Sequence, residues 1–286
     1  MFWQNEHVSQ LAPVQWLNSI LSKMLKDLLV LWKYQGLIRS LVFRDLRIKY
    51  KSSFLGFFWS LLHPLLMMAV YALIFSILIR MKVEGPYAIF LLAGILPWLF
   101  FASSLTLTAP SLLSNSSLIN KVFFPREILP LAIIFSNLVN FLLSIVVFLI
   151  FMLIFGLYPG ATLIWLPGLI FLHLLFTIGL SLLIATANVF FRDVSHVIDI
   201  VLQLWFFSVP IIYTVDFLMD KIGWHWIMLY RLNPMVPFIE MYRSIMMYSR
   251  LPGLSSWLYV TLISVITFMI GYGVFKRLEF DMVKEI

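Results

Sequence analysis

Cysteine is absent from the 286 residues, so the chain has no disulfide, no thiolate metal site and no cysteine nucleophile. Charge is scarce as well: 12% of residues are Asp, Glu, Lys or Arg, against about a quarter in an ordinary globular chain. A soluble domain of this length exposes more surface than so few charges keep in solution. No G-x-x-x-x-G-K-[ST] loop occurs, and none of the twelve glycines precedes a lysine, so ATP is not used by a P-loop of this chain. H-E-x-x-H and G-x-S-x-G are missing too, which removes the zincin and nucleophile-elbow hydrolase signatures. The opening, MFWQNEHVSQLAPVQW, has no basic segment followed by a short apolar core and a small-residue cleavage site, so no cleaved signal is expected.

What is present is apolar sequence in long runs. Hydrophobic residues make up 62% of the chain, and runs of about 18 or more are what a bilayer requires. The expected fold is an all-α integral membrane protein with about six spans, at 54–79, 87–113, 128–155, 163–190, 197–214 and 256–275. Residues 1–53 are read as an N-terminal segment, 54–275 as one membrane domain and 276–286 as a tail. Within the N-terminal segment, 36–51 (GLIRSLVFRDLRIKYK) places Leu37, Ile38, Leu41, Val42 and Leu46 at helical spacing among Arg39, Arg44, Arg47 and Lys49, the pattern of an amphipathic helix lying in an interface. Between spans five and six, Arg231, Glu240 and Arg243 interrupt an otherwise apolar stretch, and Pro234 and Pro237 break it. Short re-entrant or interfacial helices are expected there rather than a seventh span.

Six spans put both chain ends on one side. That side carries fourteen of the twenty Lys and Arg residues, so the positive-inside rule assigns both ends to the cytoplasm; a seventh span would send Lys276 and Arg277 across. The net charge of +7 is explained the same way, by topology and anionic headgroups, and no nucleic-acid partner is expected.

Inside the spans no Asp, Glu, Lys or Arg stands away from the ends, and His63 and His173 are the titratable groups at depth. Proton- and sodium-coupled transport generally needs buried ionisable residues or broken helices, so an ion gradient is not the expected energy source. Any vectorial work would need a separate motor polypeptide. Aromatics are concentrated in the first two spans, including Phe58, Trp59, Tyr71, Phe75, Trp98 and Phe101. Most aromatic residues of such a chain are interfacial anchors or lipid-facing bulk, but ring faces could also line a path for a sugar chain.

Particular residues carry a more specific signal. RDLRIKYKSSFLGFFWSLLHPL at 44–65 resembles the start of the membrane subunit of ABC-2-type polysaccharide exporters, the family handling O-antigen, capsule and teichoic-acid chains. The match lies in Tyr50, Lys51, Leu55, Gly56, Trp59 and Pro64, while His63 stands where that pattern has Gln. NSSLINKVFFPREILPLA at 115–132 is similar to the family's loop between spans two and three. FRDVSHVIDIVLQLWFFSVPIIY at 191–213 is similar to its entry into span five. LNPMVPFIEMYR at 232–243 resembles its Asn-Pro segment, and FKRLEFDMVKEI its ending.

The resemblance implies a half-transporter of the bacterial inner membrane. Two copies of this chain would join two ATPase subunits and pass a lipid-linked polysaccharide, O-antigen foremost, through a channel between the copies. The chain would bind no cofactor, with ATP and Mg on the partner, and would not itself be an enzyme. Lys121, Phe124, Pro125, Arg126 and Glu127 would contact the ATPase. Arg47, Lys49, Lys51, Leu55 and Gly56 would form the entrance for the substrate's lipid head, and Asn233, Pro234, Glu240 and Arg243 would belong to the outer gate. Against these expectations stand an exporter of the same fold for drugs or small lipids, a membrane-embedded glycosyl- or acyltransferase, and a structural scaffold. The transferase needs an acid, base or metal site, and Asp193, His196, Asp199 and Glu240 are too isolated in sequence to suggest one.

Overall fold

The computed structural model describes residues 32–50, 58–78, 81, 83–222 and 230–285, with the side chains of 50, 58–61, 77, 78 and 219–222 outside that description. Every regular element among them is a helix. In order these are α1 (Gln35–Tyr50), α2 (Phe58–Ala72, continued by the π-helical Leu73–Leu78), α3 (Tyr87–Thr108), α4 (Ile128–Ile154) and α5 (Leu166–Phe190). Then follow α6 (Val194–Phe207), α7 (Val215–Ile222), α8 (Met235–Met246) and α9 (Leu254–Glu285).

Helix α3 forms the hub because it is apolar all round, the pattern of a helix covered on every side. Ile89, Phe90, Leu91, Ala93, Ile95, Phe101 and Leu105 are sealed inside, and α2, α4, α5, α6 and α8 all pack on it. Helix α4 is two-faced. Asn137, Asn140, Phe141, Ser144, Ile145, Phe148 and Met152 recur at helical spacing and turn inward, while Leu142, Val146, Ile150 and Leu153 face out. An outer face of that composition belongs against lipid.

Helices α5 and α9 make the closest approach. A Cβ added at Gly271 would collide with the carbonyl of Gly179, and one added at Gly179 would lie 2.5 Å from the Thr267 carbonyl. Without a hydrophobic force between helices in lipid, such close backbone packing is the main source of association. Hydroxyls in the dry interior bond back to their own helix: Ser104 to the Phe100 carbonyl, Ser144 to Asn140, Thr177 to His173 and Thr186 to Leu182.

Among the described residues, four helical segments are long and apolar enough to cross a membrane: Tyr87–Thr108, Ile128–Ile154, Ala161–Phe190 and Leu254–Glu285. Leu62–Ser76 and Val194–Phe207 are apolar but shorter. The expected fifth span, 197–214, is therefore displaced. It begins at Val194 and stops at Phe207, and its length of about 21 Å falls short of a hydrocarbon core of about 30 Å. Its last turn tightens, with the Ser208 amide on the Trp205 carbonyl and the Val209 amide on Phe206, and Pro210 then has no N–H to continue the ladder. The expected second span likewise ends at Thr108, just before Pro110, and two short turns (Ser111–Ser114 and Ser116–Lys121) follow.

The predicted break at Pro234 and Pro237 resolves into a re-entrant helix. Pro234 immediately precedes α8, and Pro237 falls in its first turn, where no intrahelical amide bond is lost. Asn233 Oδ1 accepts the Met235 amide and starts the helix. At 12 residues α8 cannot cross a bilayer, yet Met235, Phe238, Ile239, Tyr242 and Ile245 are fully buried against the bundle.

The amphipathic helix expected at 36–51 is α1. Leu41 is buried and Leu37, Ile38, Val42 and Leu46 are half-buried, on the face that meets α4, while Arg39, Arg44, Arg47 and Lys49 are exposed.

Candidate coupling and gating sites

Two polar centres sit at opposite ends of the bundle. At the first, the loop before α4 meets the end of α9. Lys276 Nζ lies 2.6 Å from Glu127 Oε1 and 3.2 Å from Glu279 Oε2, and Arg126 Nη1 lies 3.4 Å from Glu279 Oε1. Glu127 is only 1% exposed. Burial raises its carboxyl above the ordinary glutamate range, opposed by the hydrogen bond and charge of Lys276. Burial disfavours the Lys276 ammonium as well, but Glu127 and Glu279 outweigh it and its pKa is raised. Lys276 is thus charged at neutral pH and compensates a carboxylate that would otherwise be stranded.

The same loop presents an apolar tip. Phe124 is buried and anchors it, Pro125 and Arg126 are half-buried, and Lys121, Val122 and Phe123 are exposed. Phe123 is 85% exposed, and the Arg126 guanidinium stands 5.5 Å from its ring centroid. Of the expected ATPase-contact residues, Lys121 and part of Arg126 are accessible in the single chain, whereas Phe124 and Glu127 face inward.

The second centre is built around Arg243. This side chain on α8 is buried and donates to the carbonyls of Phe90 (3.2 Å), Ile211 (2.5 Å) and Pro210. Those carbonyls belong to the start of α3 and the broken segment after α6, so one guanidinium fork ties three elements together. Gly94 leaves room for it, since a Cβ there would lie 2.8 Å from Nη2. Tyr87 adds a bond from its hydroxyl to the Ile212 carbonyl at 2.6 Å. Beside this knot lies a cavity of about 730 Å³, lined in part by Glu84, Asp216, Arg231, Glu240 and Arg243. Burial raises the Glu240 carboxyl above its usual range, opposed by Arg231 and Arg243. Asn233 holds two elements at once: it accepts from Trp205 Nε1 at 2.9 Å and donates to the Ser208 carbonyl at 3.0 Å. Asn233, Pro234, Glu240 and Arg243 are thus brought to one end of the bundle.

The aromatic residues divide. Trp98 and Phe101 are buried within one chain, where Trp98 meets Trp205 and Phe206 and Phe101 stacks on Phe176. Tyr71 and Phe75 are half-buried on α2, with Tyr71 stacked on Phe206. Lys51, Leu55 and Gly56, and the side chains of Phe58 and Trp59, lie outside the described residues. Arg47 and Lys49 are exposed at the end of α1.

Several arrangements of residues escape the sequence reading. Lys276 and Glu279 complete the ion cluster, but nothing in the tail's sequence marks their partners on the distant loop. His196, Asp199 and Gln203 form an exposed polar stripe on α6 at positions i, i+3 and i+7, with Thr106 Oγ1 donating to Asp199 at 2.8 Å. That spacing is visible in the sequence to a search for polar faces as well as for charges. His173 sits fully buried 3.3 Å from the Tyr242 hydroxyl, in a shell of Phe100, Phe141 and Phe238 rings.

The chain is thus a multi-span helical bundle with an amphipathic helix packed at one end, a basic loop fastened to its last helix and a short buried helix at the far end. The model of the ABC-2 type transporter family matches residues 36–247, and this chain belongs to that family. Among curated relatives it is 34% identical to the O-antigen export system permease protein RfbA of Myxococcus xanthus, over 87% of this chain and 96% of that protein. It is 32% identical to RfbA of Klebsiella pneumoniae, over 83% of this chain and 90% of that one. The polysialic acid transport protein KpsM of Escherichia coli is 23% identical over 85% of the chain. The chain is therefore a multi-pass membrane permease subunit.

Proposed function

We propose that this chain is the permease of an O-antigen exporter, moving a lipid-linked polysaccharide out across the bacterial inner membrane. The observation that carries this is the 34% identity to an O-antigen export permease over nearly the full length of both chains. The more distant relative is named for transport of another polysaccharide, which supports the same substrate class.

The permease has no P-loop, so ATP and Mg are held by a separate ATPase, two copies of which serve two copies of this chain. Both chain ends lie in the cytoplasm, on the side where basic residues concentrate. The loop at Lys121, Phe124, Pro125, Arg126 and Glu127 takes up the ATPase stroke. Phe123 is its exposed knob, and the ion cluster carries displacement of the loop directly into α9. Arg47, Lys49, Lys51, Leu55 and Gly56 form the entrance for the lipid head. The path runs between the two copies along the polar stripe of α6 and the rings of Phe58, Trp59, Tyr71 and Phe75, with Trp98 and Phe101 supporting that wall from behind. At the outer mouth, Asn233, Pro234, Glu240 and Arg243 hold the re-entrant helix as a gate.

Deleting the gene in its own bacterium tests this. The surface should lose its O-antigen while the lipid-linked chain accumulates in the inner membrane, and the intact gene should restore export. Unchanged surface polysaccharide in the deletion strain contradicts the reading.

A further inference from the structure

The re-entrant helix α8 is held from two sides by consecutive residues. Tyr242 and Arg243 project about 100° apart on a helix of about 3.6 residues per turn. Arg243 reaches the start of α3 and the segment after α6, whereas the Tyr242 hydroxyl lies 3.3 Å from His173 Nδ1 on α5. One turn earlier on α8, the Phe238 ring packs on the same imidazole with ring centroids 4.7 Å apart. Near the end of α8, the Ile245 carbonyl accepts from Thr162 Oγ1 at 2.9 Å, in the tight turn that leads into α5. Helix α5 and its leading turn therefore grip α8 at Phe238, Tyr242 and Ile245.

Placing His173 there is costly. Its side chain is fully buried, and Nε2 has no hydrogen-bond partner among the described residues. An apolar residue of similar size would fill the same shell of rings without leaving a polar atom unpaired. What the imidazole adds is direction, because a hydrogen bond between helices fixes the rotation and depth of a short helix that apolar packing alone lets slide. The contact also continues toward the cytoplasmic end. His173 lies about 9 Å along α5 from Gly179, where the backbones of α5 and α9 touch. Gly271, on the other side of that touch, lies about 7.5 Å along α9 from Lys276, the cation of the ion cluster.

We propose that His173 is a positioning residue for transport, handing displacement of α9 and α5 to the re-entrant helix through its contact with Tyr242. Helices joined by a close backbone contact move together, and the directional bond at their outer end is where that movement reaches α8. The proposal rests on the reading of α8 as the outer gate and of the loop before α4 as the point where the ATPase acts.

The test uses the full chain reconstituted with its ATPase. The sequence has no cysteine, so Ser244→Cys on α8, beside the outer cavity, gives a single site for a membrane-impermeant maleimide. In this parent, ATP should change the labelling rate several-fold. Tyr242→Phe removes the hydroxyl and keeps the ring. It should leave the thermal midpoint and ATP hydrolysis near the parent's, abolish the response of labelling to ATP, and lower export per ATP roughly fivefold. His173→Leu should do the same, and the two together should be no worse than either alone, since they remove one contact. Phe176→Leu thins the same shell, where its ring meets Phe238, without touching the bond, and should keep the ATP response. An intact response in both Tyr242→Phe and His173→Leu, additive losses in the pair, or an equal loss in Phe176→Leu overturns the proposal. A parent that exports while its labelling ignores ATP removes α8 as the gate and the proposal with it. A parent that exports nothing with its ATPase and ATP instead removes the transport reading.

Discussion

The carboxylate of Glu127 is held almost out of solvent with one oxygen on Lys276 and the other without a partner among the described residues, so its stability depends on a single cation. Removing one member of such a pair leaves an uncompensated charge, a loss of about 3–5 kcal/mol, whereas an exposed pair is worth about 0–1 kcal/mol. Lys276→Met should therefore lower the thermal midpoint of the detergent-solubilised protein markedly, and adding Glu127→Gln should restore much of it. By contrast, Arg250→Ala, which breaks the exposed pair with Glu84, should barely move it. Arg243 is different in kind, because its partners are three backbone carbonyls rather than a carboxylate. A lysine keeps the charge but cannot present a planar fork. Arg243→Lys should accordingly leave membrane insertion intact and loosen the far end, read as faster proteolysis or cysteine labelling around 208–215.

Among the helices, α5 and α9 are joined where Gly179 and Gly271 let two backbones touch. Gly271→Leu must push them apart, at a cost above the usual 1–3 kcal/mol of overpacking because backbone is struck rather than a flexible side chain. Loss of folded, monodisperse protein is expected, while Gly273→Leu, two residues on and with open space around it, should be tolerated. The elements also show how far the sequence could be read. Long apolar runs located the four helices long enough to cross a bilayer, since a bilayer demands them, and the stripe Leu37, Ile38, Leu41, Val42 and Leu46 located α1. The early end of α6 at Phe207 was less legible, because Ile211 and Ile212 are as apolar as the helix and only Pro210 marks the stop. Likewise, Pro237 reads as a breaker in sequence, but its effect vanishes once the helix start is fixed at Met235. The ion cluster was illegible for another reason: Glu127 and Lys276 are distant in sequence, and only the approach of the loop before α4 to the end of α9 joins them.

As a whole, the molecule is a multi-pass permease subunit whose described interior offers packed rings, back-bonded hydroxyls and a guanidinium knot; the loop before α4 carries an exposed hydrophobic tip, and the sequence contains no P-loop. If force enters at that tip, Phe123→Ala should leave the fold unchanged, because the ring packs on little besides Arg126, yet weaken co-purification of the ATPase and slow export several-fold. Wild-type association in that variant would remove Phe123 from the coupling surface. The most direct measurement of the central claim is ATP-dependent passage of O-antigen into inverted proteoliposomes holding this chain with or without its ATPase. Passage is predicted only when both proteins and ATP are present. Movement by this chain alone, or none with its ATPase and ATP, would contradict the claim.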